Sequence, residues 1–95
     1  MFLIEEELEA VFVKLLAAEG IPTEDYRVRV KKTLGCHYVQ VVWDGFDGMS
    51  VTSRQQWIWD RLRGMLEPEL RKHLGLVLLR SSKENSGDLD VPSDG

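Results

Sequence analysis

A single cysteine, Cys36, stands beside His37 at the head of an apolar run, and the only other histidine is His73. A cysteine hydrolase would need Cys36 close to a histidine such as His73, with a third group orienting the imidazole. No third member and no oxyanion donor set is recognisable in so short a chain. Ser50 lies near glycines, but Gly48-Met49-Ser50-Val51 lacks the Gly-x-Ser-x-Gly spacing of a hydrolase elbow. Gly45-Phe46-Asp47-Gly48 matches no phosphate-binding glycine pattern. One cysteine also excludes an internal disulfide and a zinc site of the paired Cys-x-x-Cys type. Any metal would need ligands from elsewhere, such as a second chain. The chain reads as non-enzymatic.

The elements that position these residues follow from periodicity. Over residues 2–19, Ile4, Leu8, Val11, Phe12, Leu15 and Leu16 share one helical face. Acids fill the first turns, where the helix dipole favours them, and Gly20 with Pro22 stops the helix. From Asp25 to Lys32, Tyr26, Val28 and Val30 alternate with Arg27, Arg29 and Lys31, which predicts a strand with one buried and one basic face. A turn at Thr33–Gly35 leads to Cys36–Trp43, apolar on both faces and so an interior strand, paired antiparallel with the first. His37 falls on the face opposite Cys36 and is expected to be exposed.

Asp44–Gly48 is a loop whose glycines bend the chain off that strand, with Phe46 plugging the edge of the core. A helix starts near Ser50 or Thr52, with Thr52 and Gln55 spaced as a capping box. Its inward face takes Trp57 or Ile58, the stem of Arg61, Leu62, Met65 and Leu66. Pro68 opens a short helix that Gly75 ends. Leu76–Leu79 is four aliphatic residues in a row, which predicts a strand buried on both sides. The order α-β-β-α-α-β gives one small α+β domain over residues 1–80, a mixed three-stranded sheet covered by helices on one side. Residues 81–95 are polar and charged and read as a disordered acidic tail.

Charge narrows the partners. The 95 residues carry a net charge of -4, but residues 21–80 are mildly basic while both ends are acidic. A pI near 5.1 argues against a dedicated nucleic-acid binder. No apolar run reaches the roughly 20 residues of a membrane span. Glu5, Glu6, Glu7 and Glu9 occupy the place where a signal peptide carries basic and uninterrupted apolar segments. A cytoplasmic location follows as the expectation.

The stretch Val41-Val42-Trp43-Asp44-Gly45-Phe46-Asp47-Gly48-Met49-Ser50, then Arg54, Leu62, Leu66 and Lys72-His73-Leu74-Gly75-Leu76, resembles the BolA-like proteins across about residues 3–84. Arg54 matches the first residue of their Arg-His-Arg helix start, which here reads Arg54-Gln55-Gln56. The resemblance implies an accessory module that shares a [2Fe-2S] cluster with a monothiol glutaredoxin. Cys36 falls at the ligand position between strands one and two, and His73 at the ligand position before strand three, with His37 as the alternative ligand. A thiolate and an imidazole suit such a cluster, and two ligands leave its other sites to the partner and glutathione.

A protein-partner surface is expected around Trp59, Phe46, Arg54 and Arg29. Trp57 and Trp59 lie about 200° apart on a helix, so both cannot be core. One of them, with Trp43 or Phe46, should form an exposed apolar patch. Two alternatives stay open. The α-β-β-α-α-β order also suits KH-like nucleic-acid-binding domains, although Arg63-Gly64-Met65-Leu66-Glu67-Pro68 holds one glycine where their loop has two. A metal-free protein–protein adaptor is the other.

Overall fold

In a computed structural model the described residues are 4–85, built in the order α1 (Ile4–Ala18), β1 (Tyr26–Thr33), β2 (Cys36–Trp43), α2 (Val51–Leu62), α3 (Pro68–Arg71), β3 (Leu74–Arg80) and α4 (Ser82–Asn85). The sheet runs β1-β2-β3, with β1 antiparallel and β3 parallel to β2. The mixed three-stranded α+β architecture is therefore as the sequence predicts. No helix among the described residues is long and apolar enough to cross a membrane.

Helix α1 buries Leu8, Phe12, Leu15 and Leu16, the face its periodicity assigns to the core. Gly20, at φ 82°, ends it in the left-handed conformation that costs glycine nothing. Ile21 N–H donates to the Leu16 carbonyl and Gly20 N–H to the Ala17 carbonyl, the paired bonds that close a glycine-capped helix. Helix α2 is capped by Ser50, whose Oγ accepts from Ser53 N–H at 3.1 Å, and not by a Thr52–Gln55 box. Gln55 is used elsewhere, as shown below.

The inner sheet face carries Val39 and Val41 of β2 with Val77 and Leu79 of β3, in one apolar cluster with α1 and with Ile58 and Leu62 of α2. Strand β3 departs from expectation. Leu74, Val77 and Leu79 are buried, but Leu76 is 52% exposed. The reason is position: β3 is an edge strand with helices packed against one face. A run of four aliphatic residues cannot by itself distinguish that from an interior strand.

Helix α2 is stitched to the outer edge of β3. Gln55 Nε2 donates to the Val77 carbonyl at 2.9 Å, and Arg54 Nη1 to the Leu79 carbonyl at 3.0 Å. These two alternate carbonyls point away from β2, so side chains of α2 satisfy the edge that a fourth strand would otherwise take. Residues 81–85, expected to begin the tail, instead continue the fold. Ser81 is buried, and α4 is anchored through Ser82 to Asp44 and through Glu84 to Arg54. The rest of the predicted tail, 86–95, lies outside the described residues.

The loop after β2 is shaped by ring packing. Trp43 stands edge-on to Phe46 at 5.0 Å and tilts over Trp57 at 5.4 Å. A Cβ built on Gly45 would run into the Trp43 ring. Gly45→Ala is therefore expected to push Trp43 out of the ring cluster. The expected cost is about 1–3 kcal/mol, the range for overpacking. Urea denaturation reads the stability change, and near-ultraviolet circular dichroism reads the loss of ring order.

Candidate functional site

Cys36, His37 and His73 lie at one end of the sheet, where the two histidines are in contact. The tight β1–β2 turn pairs Thr33 with Cys36, which starts β2 there, and the His37 N–H donates to the His73 carbonyl at 2.8 Å. That bond brings the end of α3 against the start of β2. The two imidazoles stand edge to face with centroids 6.3 Å apart.

His37 corrects the sequence expectation: it is 5% exposed, not a surface residue. Strand parity explains it, because His37 shares its face with Val39 and Val41, both in the core. Among the described residues neither ring nitrogen has a hydrogen-bond partner, although both are buried, and Nε2 lies 3.6 Å from a Glu5 carboxylate oxygen. That distance is too long for a hydrogen bond. Buried polar atoms are nearly always paired, so an orphaned imidazole calls for a ligand or a reason.

Cys36 is a half-buried free thiol. Its Sγ lies 3.6 Å from Thr33 Oγ1, and a Cβ on Gly75 would meet it at 2.5 Å. Gly75 is the residue that breaks the β2–β3 register between the His37–Leu74 and Tyr38–Leu76 pairs. Its lack of a side chain leaves room for the sulfur. By alternation along β2, the thiol belongs to the outer sheet face and the His37 ring to the inner one. His73 is exposed, in the turn before β3. Among the described residues no group of three or more His, Cys, Asp or Glu side chains is arranged to hold a metal ion.

Phe46 and Arg54, expected at a partner surface, lie inside the structure. Phe46 is 0% exposed between Trp43 and Trp57. Arg54 is 7% exposed and bonds Met49 and Leu79 carbonyls as well as the Glu84 carboxylate. The two tryptophans do not make the expected exposed patch either. Trp57 is covered by the Arg61 guanidinium at 4.2 Å, while Trp59 donates to Gln55 Oε1 and lies under Arg71 at 4.8 Å. Of the four expected partner residues, Trp59 is half-buried and Arg29 is exposed on β1.

Two contacts fix the lower edge of the molecule. Asp44 accepts from both Ser82 Oγ and Ser82 N–H, and these bonds hold its carboxyl below the ordinary range. The Arg54 bond, then the Ser81 N–H, hold Glu84 down to about 2. Neither pairing has a local sequence signal, since the partners are 38 and 30 residues apart.

No protein-family model matches the chain, and no curated protein matches it. Among solved structures it is similar to BolA1 from Arabidopsis thaliana, at 17% identity and a TM-score of 0.53. The match covers 88% of this chain and 98% of that one. At that identity the likeness speaks to architecture alone, and the architecture is that of a BolA-like fold.

Proposed function

We propose that this chain is a non-enzymatic BolA-like accessory module that shares a [2Fe-2S] cluster with a monothiol glutaredoxin. His73 would be one ligand, and Cys36 or His37 the other. The observation that carries the reading is the buried, unpartnered imidazole of His37 facing His73, with the Cys36 thiol on the adjacent residue. Soft thiolate and borderline imidazole donors suit iron–sulfur chemistry. Two donors from this chain would leave the remaining positions for a partner's thiolates. When bound, the cluster supplies a redox-active iron centre whose potential depends on whether sulfur or nitrogen holds it. A reducing compartment such as the cytoplasm suits one unpaired thiol.

The residues divide the work. The His37 N–H bond to the His73 carbonyl fixes the spacing of the two histidines through the main chain. Gly75 and Thr33 set where the Cys36 sulfur sits.

The test is to purify the chain together with a monothiol glutaredoxin and record visible absorption and circular dichroism. Adding this protein should change the spectrum of the glutaredoxin-bound cluster, and His73→Ala should abolish that change. Cys36→Ala and His37→Ala separate the two candidates for the second ligand, since only one should behave like His73→Ala. A glutaredoxin spectrum indifferent to this protein would overturn the reading.

A further inference from the structure

The sheet face turned away from the core is sealed at its centre. The pairing sets its residues in rows: Arg27–Val42–Arg80, Arg29–Gln40–Leu78 and Lys31–Tyr38–Leu76. By strand parity Gln40 points away from the core that Val39 and Val41 share with α1 and α2. It is nevertheless 2% exposed, while Tyr38, Val42 and Leu78 around it are half-buried and Leu76 is 52% exposed. None of Arg29, Lys31 and Gln40 is free. The middle of this face is therefore covered, and is not ground for an outside partner. Four cations and no acid stand in these rows, although the chain carries a net charge of -4.

We propose that the cover is the chain's own segment Ser86-Gly87-Asp88-Leu89-Asp90-Val91, a tethered strap folded back over the sheet. Acid and aliphatic residues alternate from Asp88 to Val91, so an extended backbone turns carboxylates to one side and aliphatic groups to the other. Leu89 and Val91 would meet Val42, Leu78 and Leu76. The long side chains of Arg27 and Arg80, both exposed, would reach up to Asp88 and Asp90. The segment also starts in the right place. Ser82 holds α4 on Asp44, two residues beyond Val42, which sets Asn85 at the Arg27–Val42–Arg80 end of the face. The three rows span about 13 Å along the strands, and six extended residues reach about 20 Å. Tethering keeps the segment at high local concentration, so weak contacts suffice to hold it. The strap is thus a gate: whatever frees the acidic segment uncovers a basic and apolar face. It is separate from the His37–His73 contact, and the proposal does not depend on a cluster.

The test uses the full-length, 15N-labelled chain with a nitroxide on Ser93→Cys, in a Cys36→Ser background so that only that position is labelled. Amide signals of Tyr38, Gln40, Leu76 and Leu78 should lose most of their intensity relative to the reduced label. Salt should restore them. Asp88→Lys/Asp90→Lys should restore them as well, and so should Arg27→Glu/Arg80→Glu, with circular dichroism checking that each variant is folded. The Asp88 and Asp90 substitutions lie outside the described fold, so they keep the test decisive should the sheet variant not fold. Without the label, Leu89→Ser/Val91→Ser should shift the same amides. The proposal is overturned by full intensity at these amides, or by losses that map to the helices instead. Losses that survive both charge reversals overturn it too. So do equal losses when 15N chains without nitroxide are mixed with unlabelled chains that carry it, because the segment then lies on a second copy.

Discussion

Phe46→Ala is expected to lower stability by about 3–5 kcal/mol, the range for removing a large aromatic side chain from a packed core. Phe46 is wholly buried and stands edge-on to Trp43 at 5.0 Å and to Trp57 at 5.7 Å. Its removal takes away one ring of a three-ring cluster that joins the end of β2 to α2, so the other two lose their packing partner as well. A domain of this size holds about 5–15 kcal/mol in all. The loss should appear as a marked fall in the urea midpoint and in the melting temperature, by about 12 °C or more. Phe46→Leu, which keeps most of the volume, should cost much less. This outcome separates a core role from a surface role. If Phe46 met a partner instead, the alanine variant would fold as well as the parent and fail only in binding.

The case of Phe46 shows what the sequence carried and what it did not. Period-two alternation in Tyr26–Lys31 and the two-faced apolar run Cys36–Trp43 were enough to fix β1, β2 and their pairing, because sheet faces are written into residue parity. Parity also places His37 with Val39 and Val41, so its burial is written in the alternation, against the usual intermediate exposure of histidine. The fate of Leu76 was not legible, because only the helices' choice of one face decides which side of an edge strand is wet. The burial of Arg54 was hidden for a different reason. An arginine at the start of an amphipathic helix normally reaches water. Here its partners are the carbonyl of Leu79, 25 residues later, and the carboxylate of Glu84, 30 residues later. The proposed ligand group has the same character: His37 and His73 meet only because α3 returns to the start of β2. The types of the chemical residues were visible in sequence, but which of them meet depends on topology.

Arg54→Met should cost about 3 kcal/mol and release the C-terminal end of the fold. The guanidinium bonds the main-chain carbonyls of Met49 and Leu79, each at 3.0 Å, and grips Glu84 through two contacts of 2.6 Å. Charge-assisted bonds to the two carbonyls contribute about 1.5 kcal/mol each, and methionine keeps the apolar stem while leaving both carbonyls unpaired. The carboxylate itself is partly solvated, so its share is small at neutral pH but has a distinct pH signature. Bonding from Arg54 lowers the Glu84 pKa from 4.5 to about 2 in the folded protein. A carboxyl whose pKa is depressed by folding stabilises the folded state above its unfolded value. That contribution fades as pH falls from about 4.5 through about 2. Urea midpoints for the parent and Glu84→Gln should therefore differ at pH 7 and converge toward pH 2. Hydrogen exchange at Ser81 and Glu84 should rise in both variants, because the Ser81 N–H donates to the Glu84 carboxylate and the Glu84 N–H to the Ser81 carbonyl. If the gap between parent and Glu84→Gln were the same at every pH, the arginine would be held by packing and its carbonyl bonds alone, and α4 would not be latched by charge.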